Sequence, residues 1–364
     1  MLLGVSNTKV YVAPTNKIEP VASTTVIVNS TTTKPIVKDV KIATTTKNTV
    51  VKKPVTTPTP AKATTKTSPA STGAVVKTPE PEPDFVVINN HARAGTVNIL
   101  CSTKGGELSP ISGTGAIVEP NGLILTNAHI GQYLLLKNYR EKDFIQCVAR
   151  TGSPAYPKYN LELVYISPTW VSENKTQLKD QNPKGTGEND FAFLRITSMI
   201  DKSDLPGRFP FVTMNVREDI GLNEPVLLSS YPAGFLGSLS ILQGLNITTA
   251  VTKIQDVFTF KDGTIDVLAV GGTVVSQKGS SGGLVVDKNG TLIGVISTSS
   301  DGETTSQRGL NAITLAYINR DMQKELGFGL KDFISQNPGD FAKVFASTTA
   351  PLLTKLITDE LNKQ

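Results

Sequence analysis

The chain has 364 residues, a formal net charge of +5 and 38% hydrophobic residues, a length that suits two or three regions rather than one undivided core. Two cysteines and two histidines are too few for a structural zinc site of the Cys/His type, so neither metal nor cofactor is expected. No run of about 18 apolar residues is present, which excludes a membrane-spanning helix.

Residues 1–84 read as a disordered tether rich in Thr, Pro and Lys. Nineteen of them are Thr and Tyr11 is the only aromatic, so the segment cannot bury enough apolar area to offset its ordering entropy. Prolines, as in Lys52-Lys53-Pro54-Val55-Thr56-Thr57-Pro58, favour an extended and semi-stiff chain. Its lysines are dispersed and lack accompanying arginines or aromatics, which argues against a nucleic-acid-binding arm. Met1-Leu2-Leu3-Gly4-Val5 has no basic flank and no long apolar core, so it is not a convincing signal peptide. Stalks of this composition suit proteins held away from a cell surface, and an extracytoplasmic location is expected.

Short β-rich runs begin after Phe85, separated by Gly, Pro, Asn and Asp. Thr96–Cys101, Gly113–Val118, Phe144–Ala149 and Leu161–Tyr165 read as strands. Glu119-Pro120-Asn121-Gly122 is a hairpin turn signal, and Leu123–His129 then reads as a strand that ends on a histidine. The other histidine, His91, sits in a polar leader and is expected to be exposed. A lone histidine at a strand end is often structural. His129 also opens a loop, a natural place for a general base.

Asp190 stands at the mouth of the apolar run Phe191-Ala192-Phe193-Leu194, after a polar stretch from about Ser172 to Gly187. A carboxylate buried there can hold an imidazole in one tautomer; Glu188 competes, but its side chain is expected to point elsewhere. Further on, Gln277-Lys278-Gly279-Ser280-Ser281-Gly282-Gly283 is a tight loop feeding Leu284-Val285-Val286. Glycines let a backbone approach a substrate closely. A serine in that setting can have a free hydroxyl, with N–H groups of Gly279 and Ser281 aimed at one point, as acyl transfer requires for its oxyanion.

These residues resemble the trypsin-like (chymotrypsin-fold) serine proteases, and within them the bacterial HtrA/Deg-like branch. The likeness rests on Gly113–Val118, Leu125–His129, Asp190–Leu194 and Gly279–Gly283, and it continues in Gly294–Ser297 and Gly309–Ile313. It spans about residues 90–325. The order His129, Asp190, Ser281, at spacings of 61 and 91 residues, is that fold's order. The resemblance implies an all-β domain over 85–327 built of two six-stranded antiparallel barrels, with the site between them. It implies Ser281 as nucleophile, His129 as base, Asp190 as its orienting carboxylate, and an oxyanion hole from the N–H groups of Gly279 and Ser281 with help from Ser280. It also places Val275 near the base of a primary pocket, Ser297, Thr298 and Ser299 along its wall, and Asn311 beside them. With no carboxylate among these, small or medium apolar P1 residues are expected.

The sequence departs from the family in three places. Ser280 stands where digestive trypsin-like enzymes carry an aspartate, so no ion pair with a new N-terminal amine can order the oxyanion loop. No Arg/Lys-Ile-Val-Gly-Gly site precedes the domain, and activation without a cut is expected. The residues after 327 are too few for a PDZ domain, so a monomer is favoured over PDZ-built assemblies. Residues 328–364 read instead as a helical extension; Leu315–Leu326 and Pro351–Leu361 are its expected neighbour and end, the latter with Leu352, Leu353, Leu356, Ile357 and Leu361 on one face. Cys101 and Cys147 lie mid-strand; two buried thiols and a disulfide are both open, and an oxidising compartment favours the disulfide. The expected activity is serine endopeptidase action on protein or peptide substrates. The alternatives are an inactive cleft used for binding, or a surface adhesin in which the stalk matters most.

Overall fold

The computed structural model describes residues 83–363, apart from 106–107, 181–183 and 262. The tether expected over 1–84 lies outside the described residues except for its last two positions. Asp84 begins a helix that the polar composition of the leader concealed. Its carboxylate accepts the N–H groups of Val86 and Val87, and α1 (Phe85–Ala94) follows. Only Ile88 and Ala92, one turn apart, are buried on it. His91 is exposed on this helix.

Six strands then form a closed antiparallel barrel: β1 (Thr96–Thr103), β2 (Ile111–Ile117), β3 (Leu123–Thr126), β4 (Ile145–Thr151), β5 (Tyr156–Ile166) and β6 (Ala192–Met199). Their order around the barrel is β1-β2-β3-β6-β5-β4. Val97 and Ile99 of β1 and Leu123, Ile124 and Leu125 of β3 are buried in its core. Fully burying such a side chain contributes about 1.5–3 kcal/mol. Between β3 and β4 lies α2 (Ala128–Leu135), and β5 leads into α3 (Pro168–Asn174), so the polar stretch from Ser172 starts inside a helix. In the β1–β4 register Cys101 faces Cys147, with Cα atoms 4.0 Å apart, and the two are joined by a disulfide.

One expectation in this barrel is corrected. The strand beginning at Leu123 stops at Thr126, and His129 lies in the first turn of α2. Asn127 occupies the N-cap position in an extended conformation, a residue type favoured there, and it turns the chain from strand to helix. The β3–β6 register pairs Thr126 with Ala192. The residues just beyond that pair, His129 after β3 and Asp190 before β6, therefore lie at the same edge of the barrel.

The second layer contains β7 (Pro225–Ser230), β8 (Thr248–Lys253), β9 (Asp256–Phe258), β10 (Val267–Ala269), β11 (Leu284–Val286), β12 (Leu292–Ser299) and β13 (Leu310–Thr314), with α4 (Ser238–Gln243) between β7 and β8. It is antiparallel throughout, in the order β8-β7-β11-β12-β13-β10-β9. The all-β, chymotrypsin-like architecture with C-terminal helices is as expected. This half has seven strands in a curled sheet rather than six in a closed barrel. Its outer strands do not pair with each other: β9 has only three residues, and β8 is half-exposed and ends on Lys253, features that blunt a sheet edge.

After β13 come α5 (Leu315–Leu326), α6 (Leu330–Ile334), α7 (Pro338–Thr348) and α8 (Ala350–Leu361). Helix α5 ends at Gly327, whose φ of 81° is the left-handed cap a glycine adopts most easily. Helices α6 and α7 dock on the first barrel through rings: Phe333, Phe341 and Phe345 gather around the buried Tyr165, with centroids 5.6–6.3 Å from it. On α8, Leu353 and Ile357 turn inward, whereas Leu352 remains 66% exposed. The expected apolar stripe is thus split between the body of the domain and the solvent.

Candidate active site

His129 and Asp190 are joined twice. The His129 backbone N–H donates to Asp190 Oδ1 at 3.0 Å, and the ring Nδ1 lies 2.9 Å from Asp190 Oδ2. An ionised carboxylate only accepts, so Nδ1 carries the proton and Nε2 is left as the basic nitrogen. Burial works against the charged imidazolium, but the charge and hydrogen bond of Asp190 outweigh it and hold His129 above its ordinary value of 6.5. Asp190 is itself 4% exposed. Its backbone carbonyl accepts from Asn127 Nδ2 at 2.9 Å, and its Oδ2 accepts from Ser297 Oγ at 2.8 Å. Ahead of it, Asn189 adopts a φ of 56°, and its N–H donates to the Tyr317 hydroxyl of α5 at 2.9 Å.

Ser281 is presented by a turn whose peptide units are individually fixed. Ser280 N–H donates to Gln277 O at 3.2 Å around Gly279, whose φ is +91°, the arrangement of a type II turn. A Cβ on Gly279 would also lie 2.8 Å from Ala233 N, so both space and conformation select glycine. Lys278 O accepts from Ala233 N–H at 2.7 Å. Because C=O and N–H point opposite ways across a trans peptide, the Gly279 N–H is turned away from Ala233. Among the described residues neither the Gly279 N–H nor the Ser281 N–H has a partner, whereas that of Ser280 is taken by Gln277. Gly282 brings the loop against β2: a Cβ there would sit 1.8 Å from Thr114 O.

The Ser280 side chain is fully buried and holds the loop locally, donating to Val275 O at 2.6 Å and accepting from Ser230 Oγ at 2.9 Å. Both bonds are between uncharged groups of the second layer. The Ser281 hydroxyl donates to Ser297 O at 3.4 Å; no hydrogen bond joins it to His129. Catalytic hydrogen bonds are often long before substrate arrives. Ser297 therefore touches both halves, through its carbonyl to Ser281 and through its hydroxyl to Asp190.

The pocket positions are distributed unevenly. Val275 is wholly buried in the core of the second sheet. Thr298 and Asn311 are half-buried cross-strand partners, with Asn311 Nδ2 donating to Thr298 Oγ1 at 3.3 Å, and Ser299 is exposed. The link from Ser297 to Asp190 had no signal in the sequence, since it depends on β12 reaching the far barrel. Among the described residues no group of three or more His, Cys, Asp or Glu side chains could hold a metal ion, and no helix is long and apolar enough to cross a membrane.

Comparison with known proteins gives two likenesses. Residues 113–295, half of the chain, match the trypsin-like peptidase domain. No curated protein matches significantly. Among solved structures, one described as "Crystal structure of Deg5" aligns with a TM-score of 0.44 and 16% identity, over 67% of this chain and 96% of that one. The matched span runs from Gly113 of β2 through Val295 of β12, and so takes in His129, Asp190 and Ser281; on that match, the chain belongs to the trypsin-like peptidase domain family.

Proposed function

We propose that this chain is a serine endopeptidase of the HtrA/Deg-like kind that cleaves protein or peptide substrates outside the cytoplasm. The observation that carries the reading is the doubly bonded His129–Asp190 pair beside a serine in a glycine turn with two unpartnered N–H groups. In the reaction Ser281 Oγ attacks the scissile carbonyl carbon while His129 Nε2 takes its proton. Asp190 holds the ring in the Nδ1–H tautomer and stabilises the imidazolium without itself taking the proton. The N–H groups of Gly279 and Ser281 receive the oxyanion. Collapse of that intermediate breaks the C–N bond as His129 gives its proton to the leaving amine. Water, deprotonated by the same nitrogen, then hydrolyses the acyl-enzyme.

A second reading, an inactive cleft that only binds peptides, draws on the Ser281 hydroxyl turning to Ser297 O rather than to His129. The two are separated by incubating an unstructured protein substrate with the purified chain and with Ser281→Ala. New N-termini formed by the first and not the second support the peptidase. Undiminished substrate with both, together with retained peptide binding, supports the binding module.

A further inference from the structure

We propose that Thr114 is a positioning residue of the oxyanion turn, acting from the opposite barrel through its hydroxyl. The proposal rests on the reading of Ser281 as nucleophile. Thr114 lies in β2 and is 0% exposed. Its Oγ1 donates to Gly279 O at 2.9 Å and accepts from Tyr231 N–H at 3.0 Å, while its backbone N–H donates to Ser281 O at 2.7 Å.

The two free N–H groups belong to the Lys278–Gly279 and Ser280–Ser281 peptide units, and the units that alternate with them, Gly279–Ser280 and Ser281–Gly282, fix the turn around them. The carbonyl of Lys278 is held by Ala233 N–H and that of Ser280 by Gly283 N–H, both within the second layer. The other two carbonyls, of Gly279 and Ser281, are both held by Thr114. Half of the turn is therefore fixed from the first barrel, by the strand that pairs with β3 and so precedes His129. One buried atom must donate to a carbonyl and accept from an N–H at once, which a hydroxyl does and a methyl does not. Valine has the same shape but strands both Gly279 O and Tyr231 N–H, each of which can regain a partner only if the loop shifts. A misplacement of about 1 Å at reacting groups lowers turnover by up to about 100-fold.

The test compares Thr114→Val, Thr114→Ser and Thr114→Ala in the full chain. It measures kcat and KM on a peptide substrate, and inhibition by a peptidyl boronic acid, whose adduct with a serine is tetrahedral. Thr114→Val is expected to lower kcat about 10- to 100-fold with KM within about twofold, and to weaken the boronate by a similar factor. Thr114→Ser is expected to restore kcat to within a few-fold of the native chain, because it keeps the hydroxyl. If circular dichroism shows that Thr114→Val has not folded, Thr114→Ser against Thr114→Ala makes the same comparison. Native kcat in the variant lacking the hydroxyl, or equal losses with and without it, overturns the proposal. If Ser281→Ala still hydrolyses the peptide, the nucleophile assignment falls and this proposal with it. If Ser281→Ala is inert while Thr114→Val is fully active, this proposal alone falls.

Discussion

The two halves of the candidate site are held by different physics. On the first barrel, His129 and Asp190 secure each other by a charge-assisted pair of bonds, and β3–β6 pairing delivers them to one edge. On the second layer, among the described residues, no ion pair holds the Ser281 loop. The loop is fixed by backbone turns, a glycine at φ +91° and the buried hydroxyl of Ser280. On the proposed reading, a nucleophile loop is ordered without an ion pair when its inward carbonyls have donors. The contrast implies different sensitivities: the first half responds to charge and pH, the second to lost hydroxyls and added methyl groups.

The largest effect should come from removing either reacting group. His129→Ala and Ser281→Ala are each expected to lower kcat by about 10⁴- to 10⁶-fold with the fold intact, read by peptide hydrolysis and circular dichroism. Asp190→Asn tests the charged half alone and is expected to cost about 10⁴-fold in kcat. In the native chain the rate should fall as pH drops through a midpoint above 6.5, because His129 must be neutral to act as base and Asp190 raises its pKa. In Asp190→Asn only the opposing effect of burial remains, so the midpoint of kcat/KM should move to lower pH. A midpoint that stays or rises would break the assignment of Asp190.

Next in size is a structural change confined to the first barrel. The Cys101–Cys147 bond closes 46 residues. Replacing both with serine is expected to lower stability by about 4 kcal/mol in the chain-entropy account, measured by urea unfolding. The smallest effect should be Ser280→Ala, which leaves the buried Ser230 hydroxyl without its acceptor and Val275 O with only the Gln277 N–H. A loss of about 1–3 kcal/mol is expected, with a modest fall in kcat and no change in the pH midpoint. A shifted midpoint would mean that Ser280 also acts on the His129–Asp190 pair.

Much of this was legible in the sequence, and the remainder has physical reasons for being hidden. Asp190 could be picked out because a carboxylate stands at the mouth of the apolar run Phe191-Ala192-Phe193, and the turn at 277–283 because it follows His129 and Asp190 in the order of a known family, its glycines alone being equally those of a flexible turn. The end of α5 was readable from Gly327. Helix α1 was not, since only Ile88 and Ala92 give it an apolar face and its start depends on the cap at Asp84. The departure of His129 from the strand was masked because Leu123–Ala128 is apolar enough to read as extended until Asn127 turns it. Ser297 and Thr114 act across the two layers, and local pattern carries no trace of a partner more than a hundred residues away. The docking of α6 and α7 was missed for the same reason: the rings of Phe333 and Phe341 meet Tyr165 only after the barrel has closed.

The central claim, that Ser281 is a nucleophile activated by His129, is tested most directly by labelling the full chain with a fluorophosphonate and locating the adduct by tandem mass spectrometry. The account predicts one adduct, on Ser281, absent from Ser281→Ala and strongly reduced in His129→Ala. Its rate should fall as pH drops through the His129 midpoint. An unlabelled native chain, or an adduct on Ser280 or on any other serine that survives His129→Ala, would contradict it.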